Sequence, residues 1–389
     1  MDGINGVQRM NSTIIDVENK DTLGSLRKFL GGLLESKFVE ALLVPKLLPS
    51  GDGFVQSLIK DSKMLEGSNP IAPTMAVQSA RILSELTTEP FNGRIGVVLK
   101  PCELRAAVEL VKFLRVNLDN VVTICVDCPG TYEVADYAEM VQKDRELSPQ
   151  AFLEGVSEGE IRPRKGYNFR ECCQICEYPV PLNGDITIGL LGLDHSKEML
   201  LMAGERFEKE LAQKLSLELK EGNSANREKV IEKVTHKRRE QRVKVIDELK
   251  ERVNSIEKFM QTLSTCIRCH NCMNVCPICY CKECVFKSAV FEHRSEQFLN
   301  WADRKGAIRM PGDTLIFHVT RMSHMATSCV GCGMCDSACP SNLPISSLFS
   351  LIGSELQEMF EYVPGRDAAE EPPVSVFKED ELQTETGSE

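Results

Sequence analysis

Cys266-Ile267-Arg268-Cys269-His270-Asn271-Cys272-Met273-Asn274-Val275-Cys276-Pro277 is one half of the pattern that decides this fold, and Cys329-Val330-Gly331-Cys332-Gly333-Met334-Cys335-Asp336-Ser337-Ala338-Cys339-Pro340 is the other. Each run places three thiols at equal steps, then a fourth after a longer step and just before a proline. Three thiols at that step wrap one cubic cluster of iron and sulfide from a single tight loop. The fourth is carried away by the turn and closes the cluster of the other run. The spacing therefore predicts two 4Fe–4S clusters. Cys266, Cys269, Cys272 and Cys339 ligate one, and Cys329, Cys332, Cys335 and Cys276 the other. Zinc also binds CxxC pairs, but it uses two pairs and needs neither a third cysteine at the same step nor the proline.

The segment holding both runs, 264–362, reads as an α-helical dicluster ferredoxin domain, because the stretch between the runs is long enough for helices. After the second run, Leu348, Leu351, Ile352, Leu356 and Met359 predict an amphipathic helix capped by Ser346 or Ser347. Residues 204–263 are charged and helical, and read as a linker. Within them Ile246, Leu249, Val253, Ile256, Met260 and Leu263 form a narrow seam like a short coiled coil. Lys237-Arg238-Arg239, Arg242 and Lys244 read as a solvated face in preference to a docking face. The tail 363–389 is acidic and polar, a composition that predicts disorder.

Residues 1–203 alternate apolar runs with amphipathic stretches. Ala41–Val44, Ile95–Leu99 and Val121–Val126 read as buried strands, and Pro101 opens a helix with Leu104, Ala107, Val108, Val111 and Leu114 on one face. Strand, helix, strand at this spacing predicts a βαβ unit in an α/β domain. Residues 71–86 read as a further helix, and 186–192 as a strand entering a glycine-bearing loop.

The chain has 389 residues, seventeen cysteines and a net charge of −11. That charge, with a single Trp, argues against nucleic acid as a partner. The opening Met1-Asp2-Gly3-Ile4-Asn5 has no signal-peptide character, and no apolar run is long enough for direct membrane insertion. A cytoplasmic setting follows as the expectation, and there so many cysteines point to metal rather than to disulfides.

Three further motifs occur in order. They are Leu99-Lys100-Pro101-Cys102-Glu103-Leu104-Arg105-Ala106, then Cys128-Pro129-Gly130-Thr131-Tyr132, then Cys173-Gln174-Ile175-Cys176 followed by Gly184-Asp185-Ile186-Thr187-Ile188-Gly189-Leu190-Leu191-Gly192. Together they resemble the β subunit of coenzyme F420-reducing hydrogenase and its formate dehydrogenase relatives, over roughly residues 20–200. The resemblance implies an α/β domain holding FAD with a third 4Fe–4S cluster beside it. It carries ligand roles to Cys128, Cys173 and Cys176, with Cys102 as the fourth and Cys172 as its rival. It also implies flavin contacts from Lys100, Thr187, Gly189 and Gly192. The family's glycine-rich turn before the first helix is reduced here to Leu23-Gly24-Ser25-Leu26-Arg27-Lys28, which keeps one glycine and adds two cations.

Electron counting fixes the expected mechanism. A deazaflavin such as F420 exchanges a hydride, whereas clusters take single electrons, so a flavin belongs between them. No side chain is nominated as a catalytic acid or base. The expected role is an oxidoreductase subunit that passes electrons between an F420-like carrier and partner subunits of formate dehydrogenase, hydrogenase or heterodisulfide reductase type. The alternative is an electron-transfer adaptor between such complexes with no hydride substrate of its own, and a zinc-stabilised scaffold is a third reading. His270, His318 and His324 read as packing groups or hydrogen-bond donors behind ligands. Cys125 reads as a small buried hydrophobe. The role of Cys279, Cys281 and Cys284 is open.

Overall fold

The computed structural model describes residues 11–143, 152–221, 225–310 and 312–373. Met1–Asn5 and most of the acidic tail lie outside the described residues. Eight strands, β1 (Asn11–Asp16), β2 (Ala41–Leu47), β3 (Phe54–Ile59), β4 (Ile95–Leu99), β5 (Val121–Val126), β6 (Ile186–Gly189), β7 (Glu198–Ala203) and β8 (Lys220–Glu221), form one sheet in the order β3-β2-β4-β5-β6-β7-β1-β8. β2, β4, β5 and β6 run parallel, and β3, β7, β1 and β8 join antiparallel. Along β5 the side chains alternate. Val122, Ile124 and Val126 enter one core, and Val121 and Cys125 enter the other. Burial on both faces explains why these strands read as unbroken apolar runs.

The first core takes Leu26, Leu30 and Leu33 from helix α1 (Thr22–Glu35), whose N-terminus is capped by the Asp21 carboxylate accepting from the Gly24 N–H. The second core lies under helices α2 (Ser79–Leu86) and α3 (Pro101–Lys112). Of the expected helix over 71–86 only 79–86 is helical. Before it the Asn69 carboxamide accepts from the Ile71 N–H, and the Lys100 ammonium donates to the Ala72 carbonyl at 2.8 Å, holding that segment in turns. α3 opens at Pro101 as expected but stops at Lys112, and Leu114 lies beyond it, exposed, at positive φ.

Residues 204–263 are joined to the sheet. Leu211 enters the first core, and Lys220–Glu221 pairs with β1. The long helix α4 (Ala225–Val253) places Val230 and Val234 in the first core and Ile246 and Leu249 in the second, so it straps both faces. The expected seam breaks at Asn254–Ser255, where the Ser255 hydroxyl caps a new short helix and leaves Ile256 and Met260 exposed. The basic face of α4 pairs within the chain: Lys237 with Glu160, Arg239 and Arg242 with Glu177, and Arg238 with the Pro129 carbonyl.

Helix α5 (Thr314–Met325) contributes Met322 and Met325 to the second core, and α6 (Ile345–Met359) contributes Ile345, Leu348 and Phe349. The cysteine runs are thereby packed against the α/β unit. α6 begins after Pro344, so Ser346 and Ser347 are not caps. Their hydroxyls donate to Asp336 and Glu171 from inside the first turn. The start of the tail is also ordered: Tyr362 and the Gly365 N–H bond the Glu109 carboxylate of α3 at 2.7 Å.

A buried ion pair locks α4 to the sheet. Arg227 donates to both carboxylate oxygens of Asp127, which also accepts from the Leu190 and Leu191 N–H groups at 2.8 and 2.9 Å. Both residues are 3% exposed. Removing one member of such a pair strands the other charge, so Asp127→Ala is expected to lower stability by about 3–5 kcal/mol in urea titration. A loss under about 1 kcal/mol would show instead that the pair behaves as a solvated one.

Candidate metal centres

Both cysteine runs fold alike because both need left-handed backbone between their thiols. Arg268 and His270 in the first run, and Gly331 and Gly333 in the second, have φ of 53°, 61°, 67° and 68°. A short helix follows each, Asn271–Asn274 and Met334–Ser337. Gly333 is required, because a Cβ there would overlap the Cys172 thiol. In the first run a side chain is accommodated at the matching position: the His270 ring stacks on Phe317 at 4.7 Å.

The fold brings Cys339 back to the first triplet, so that Cys266, Cys269, Cys272 and Cys339 line one small cavity closed by Phe317 and His318. Cys276 faces Cys329, Cys332 and Cys335 in the same reciprocal way. A third cavity is lined by Cys102, Cys128, Cys173 and Cys176 with Lys100, Thr131 and Arg170. Cys102 comes from the first turn of α3, Cys128 from the end of β5, and the other two from the turn beginning at Glu171. Cys172 lies in the same wall, 3.9 Å from Cys173 and 3.6 Å from the Cys332 carbonyl.

Burial dominates the acidity of these thiols. It raises Cys128, Cys272 and Cys329 to about 11 and Cys332 to about 12. Cys173 goes the other way, below the ordinary thiol range, because the Cys172 thiol hydrogen-bonds to it and the Arg170 charge and the Thr131 hydroxyl add to this. Neutral thiols around a dry cavity become ligands by releasing protons to a metal. Among the described residues no three Cys, His, Asp or Glu side chains converge as ligands of a single ion would. Four sulfurs lining one cavity are the donor set that a 4Fe–4S cluster takes.

Groups behind the thiols complete the sites. His318 approaches the Cys266 sulfur with Nε2 at 3.3 Å, and Arg321 donates to the Cys272 sulfur at 3.1 Å. His324 lies exposed on α5. Cys279 packs near Cys272 and Phe286, Cys284 lies 3.7 Å from the Met273 sulfur, and Cys281 is exposed.

A cavity of about 1000 Å³ opens at the N-terminal end of α1. Tyr132, Tyr137 and Phe152 line it with the cations Arg27, Arg162 and Arg164 and the carboxylates of Glu154, Glu158 and Glu160. It shares a wall with the third thiol cavity: Gly130 and Thr131 face the thiols, and the next residue, Tyr132, faces the larger space. None of the four residues expected at a flavin lines this space. Lys100 lines the thiol cavity, Thr187 is buried in β6, and Gly189 and Gly192 are packed against Arg227. The run Arg162-Pro163-Arg164-Lys165 was the available signal for the cationic wall.

A 4Fe-4S dicluster domain model matches residues 262–343. The F420-dependent formate dehydrogenase subunit beta of Methanocaldococcus jannaschii is 27% identical over 88% of this chain and 92% of its own length. The F420-dependent formate dehydrogenase 1 subunit beta of Methanococcus maripaludis is 28% identical over 92% of this chain and 94% of its own. A chain of the F420-reducing NiFe hydrogenase complex from Methanosarcina barkeri, 14% identical, superposes with a TM-score of 0.44 over 66% of this chain and 97% of that one. The chain is a homologue of the F420-dependent formate dehydrogenase β subunits, with a 4Fe-4S dicluster domain in its C-terminal part.

Proposed function

We propose that this chain is the flavin and iron–sulfur subunit of an oxidoreductase, passing electrons between an F420-like hydride carrier and partner subunits of formate dehydrogenase, hydrogenase or heterodisulfide reductase type. One observation carries the reading: the large cavity and the three thiol sites are linked one to the next by neighbouring or shared residues. Tyr132 and Thr131 separate the cavity from the third site. Cys332, a member of the second run, lines that site as well. Cys276 and Cys339 then interlock the two ferredoxin-like sites, and Cys269 is exposed at the far end.

In this reading Cys266, Cys269, Cys272 and Cys339 hold one cluster, Cys329, Cys332, Cys335 and Cys276 a second, and Cys102, Cys128, Cys173 and Cys176 a third. FAD belongs in the large cavity, where aromatic walls suit a flat ring and Arg27, Arg162 and Arg164 suit a diphosphate. Bound there, it would take a hydride from its carrier and release the electrons singly. The chain's own part is to bind and orient. The Lys100 ammonium fixes the Ala72 carbonyl between the two cavities, Asn69 fixes the turn before it, and Tyr132 closes the wall. A reducing compartment such as the cytoplasm keeps the thiols available.

The test is anaerobic purification with counting of iron, sulfide and released flavin, then addition of reduced F420 or of NADH. Flavin with bleaching by reduced F420 is the expected result. Flavin that no hydride donor bleaches would replace this reading with the adaptor, and a colourless protein free of sulfide would end it. Cys173→Ser is expected to remove about one cluster's iron and leave the ferredoxin pair intact. Unchanged iron would show that the third site is misplaced.

A further inference from the structure

Two arginines are buried where neighbouring thiol sites meet, and neither belongs to any ligand set. Arg321 of α5 is 3% exposed. One Nη donates to the Cys272 sulfur and the other to the Cys272 carbonyl, both at 3.1 Å. Its largest charge partners are Cys272 of the first site and Cys276 and Cys335 of the second, followed by Cys279. The guanidinium lies over the rings of Phe317 and Phe349, and its Nε has no hydrogen-bond partner. Arg170 is 4% exposed and fills the other junction. It donates to the Cys332 carbonyl at 3.1 Å and to the Thr131 hydroxyl at 3.4 Å, and that hydroxyl lies 3.3 Å from the Cys173 sulfur. Its charge partners are Cys172, Cys173, Glu133 and Cys332, and Ser337 accepts from its Nε at 3.1 Å.

A guanidinium stays charged at any relevant pH, and burying it costs several kcal/mol unless negative charge faces it. For Arg170 part of that charge is Glu133, at 3.5 Å. For Arg321, among the described residues, the main counter-charges are thiols. Each junction between sites therefore holds a fixed cation: Arg170 hydrogen-bonds to the Cys332 carbonyl and the Thr131 hydroxyl, and Arg321 hydrogen-bonds to Cys272 with Cys276 and Cys335 among its largest charge partners.

We propose that Arg321 and Arg170 are positioning residues that set the reduction potentials of the clusters in pairs, Arg321 for the first and second and Arg170 for the second and third. This rests on the three-cluster reading above. Each added electron makes a cluster one charge more negative, and a cation in the shared wall stabilises that charge on either side. It also weakens the repulsion between electrons on adjacent clusters.

The test is an anaerobic redox titration followed by electron paramagnetic resonance, with iron counted first and the third-cluster signal assigned from its loss in Cys173→Ser. Arg321→Gln is expected to lower the first and second potentials and leave the third in place. Arg170→Gln is expected to lower the second and third and leave the first. Each shift should reach at least tenfold in the reduction equilibrium, about 59 mV for one electron. Arg321→Lys and Arg170→Lys, which keep the charge, should hold the wild-type potentials. They also carry the test if a glutamine variant loses iron: a lysine variant that keeps its iron but falls in potential overturns the proposal. So do unchanged potentials in the glutamine variants, or equal shifts in all three clusters. Fewer than three clusters in the wild-type protein would instead overturn the underlying reading.

Discussion

Thiolates in a dry interior need positive charge beside them, and most of this structure is arranged around that need. Burial alone keeps Cys102, Cys128, Cys329, Cys332 and Cys335 protonated. Against it the fold sets at least one buried cation at each site and two at the third. Lys100 faces Cys128, Arg170 faces Cys173, and Arg321 faces Cys272. Arg105 lowers Cys329 from the side of the α/β unit. Thiol acidity and the docking of the two halves are therefore coupled through the same cations, since Arg105 donates to the Val330 carbonyl and Arg170 to the Cys332 carbonyl.

Helix α3 makes that coupling mechanical. Glu103 in its first turn accepts from the Lys100 N–H and binds Ser79 at the head of α2. One turn on, Arg105 donates to the Val330 carbonyl inside the second run and to the Pro364 carbonyl beyond α6. Another turn on, Glu109 and Lys112 hold Tyr362. One helix thus carries a thiol of the third site at its N-terminus and grips the ferredoxin-like segment along its length. The Gly365 turn closes against Arg105, where a Cβ would strike the helix backbone.

What the sequence made legible was local. The thiol spacing within each run, the alternation along β5 and the Pro101 helix start depend on residues a few positions apart, and the structure contains them all. Contacts across long separations were not legible. The loop Thr187–Gly192 looks like an open glycine turn until Arg227 of α4 fills it, with Asp127 of the β5 end completing the pair. The basic stretch on α4 is largely solvated, as its composition suggests, but its ion pairs were not legible because Glu160 and Glu177 lie in another part of the chain. The acidic tail composition hid the Tyr362–Gly365 clasp for the same reason. Arg170 and Arg321 gave no sequence signal, since a single arginine acquires meaning only from the thiols the fold brings to it.

The order of the sites follows from this packing. The second thiol set lies beside the first set, the third cavity and α3, and Cys329 also lines a cavity of about 680 Å³ next to α6. The two ends differ: the large cavity opens toward solvent beside α1, and Cys269 reaches the surface at the other end. The α1 end is an accessible cavity of mixed charge, with aromatic rings, the cations Arg27, Arg162 and Arg164 and the carboxylates of Glu154, Glu158 and Glu160 in its walls. The two cavities are separated by the segments Gly130–Tyr132 and Ile71–Met75: Tyr132, Ile71 and Pro73 face the large cavity, and Gly130, Thr131 and Met75 face the thiol cavity. The wall between the large cavity and the thiol cavity is thus a single thickness of chain, so the residues that shape one also shape the other.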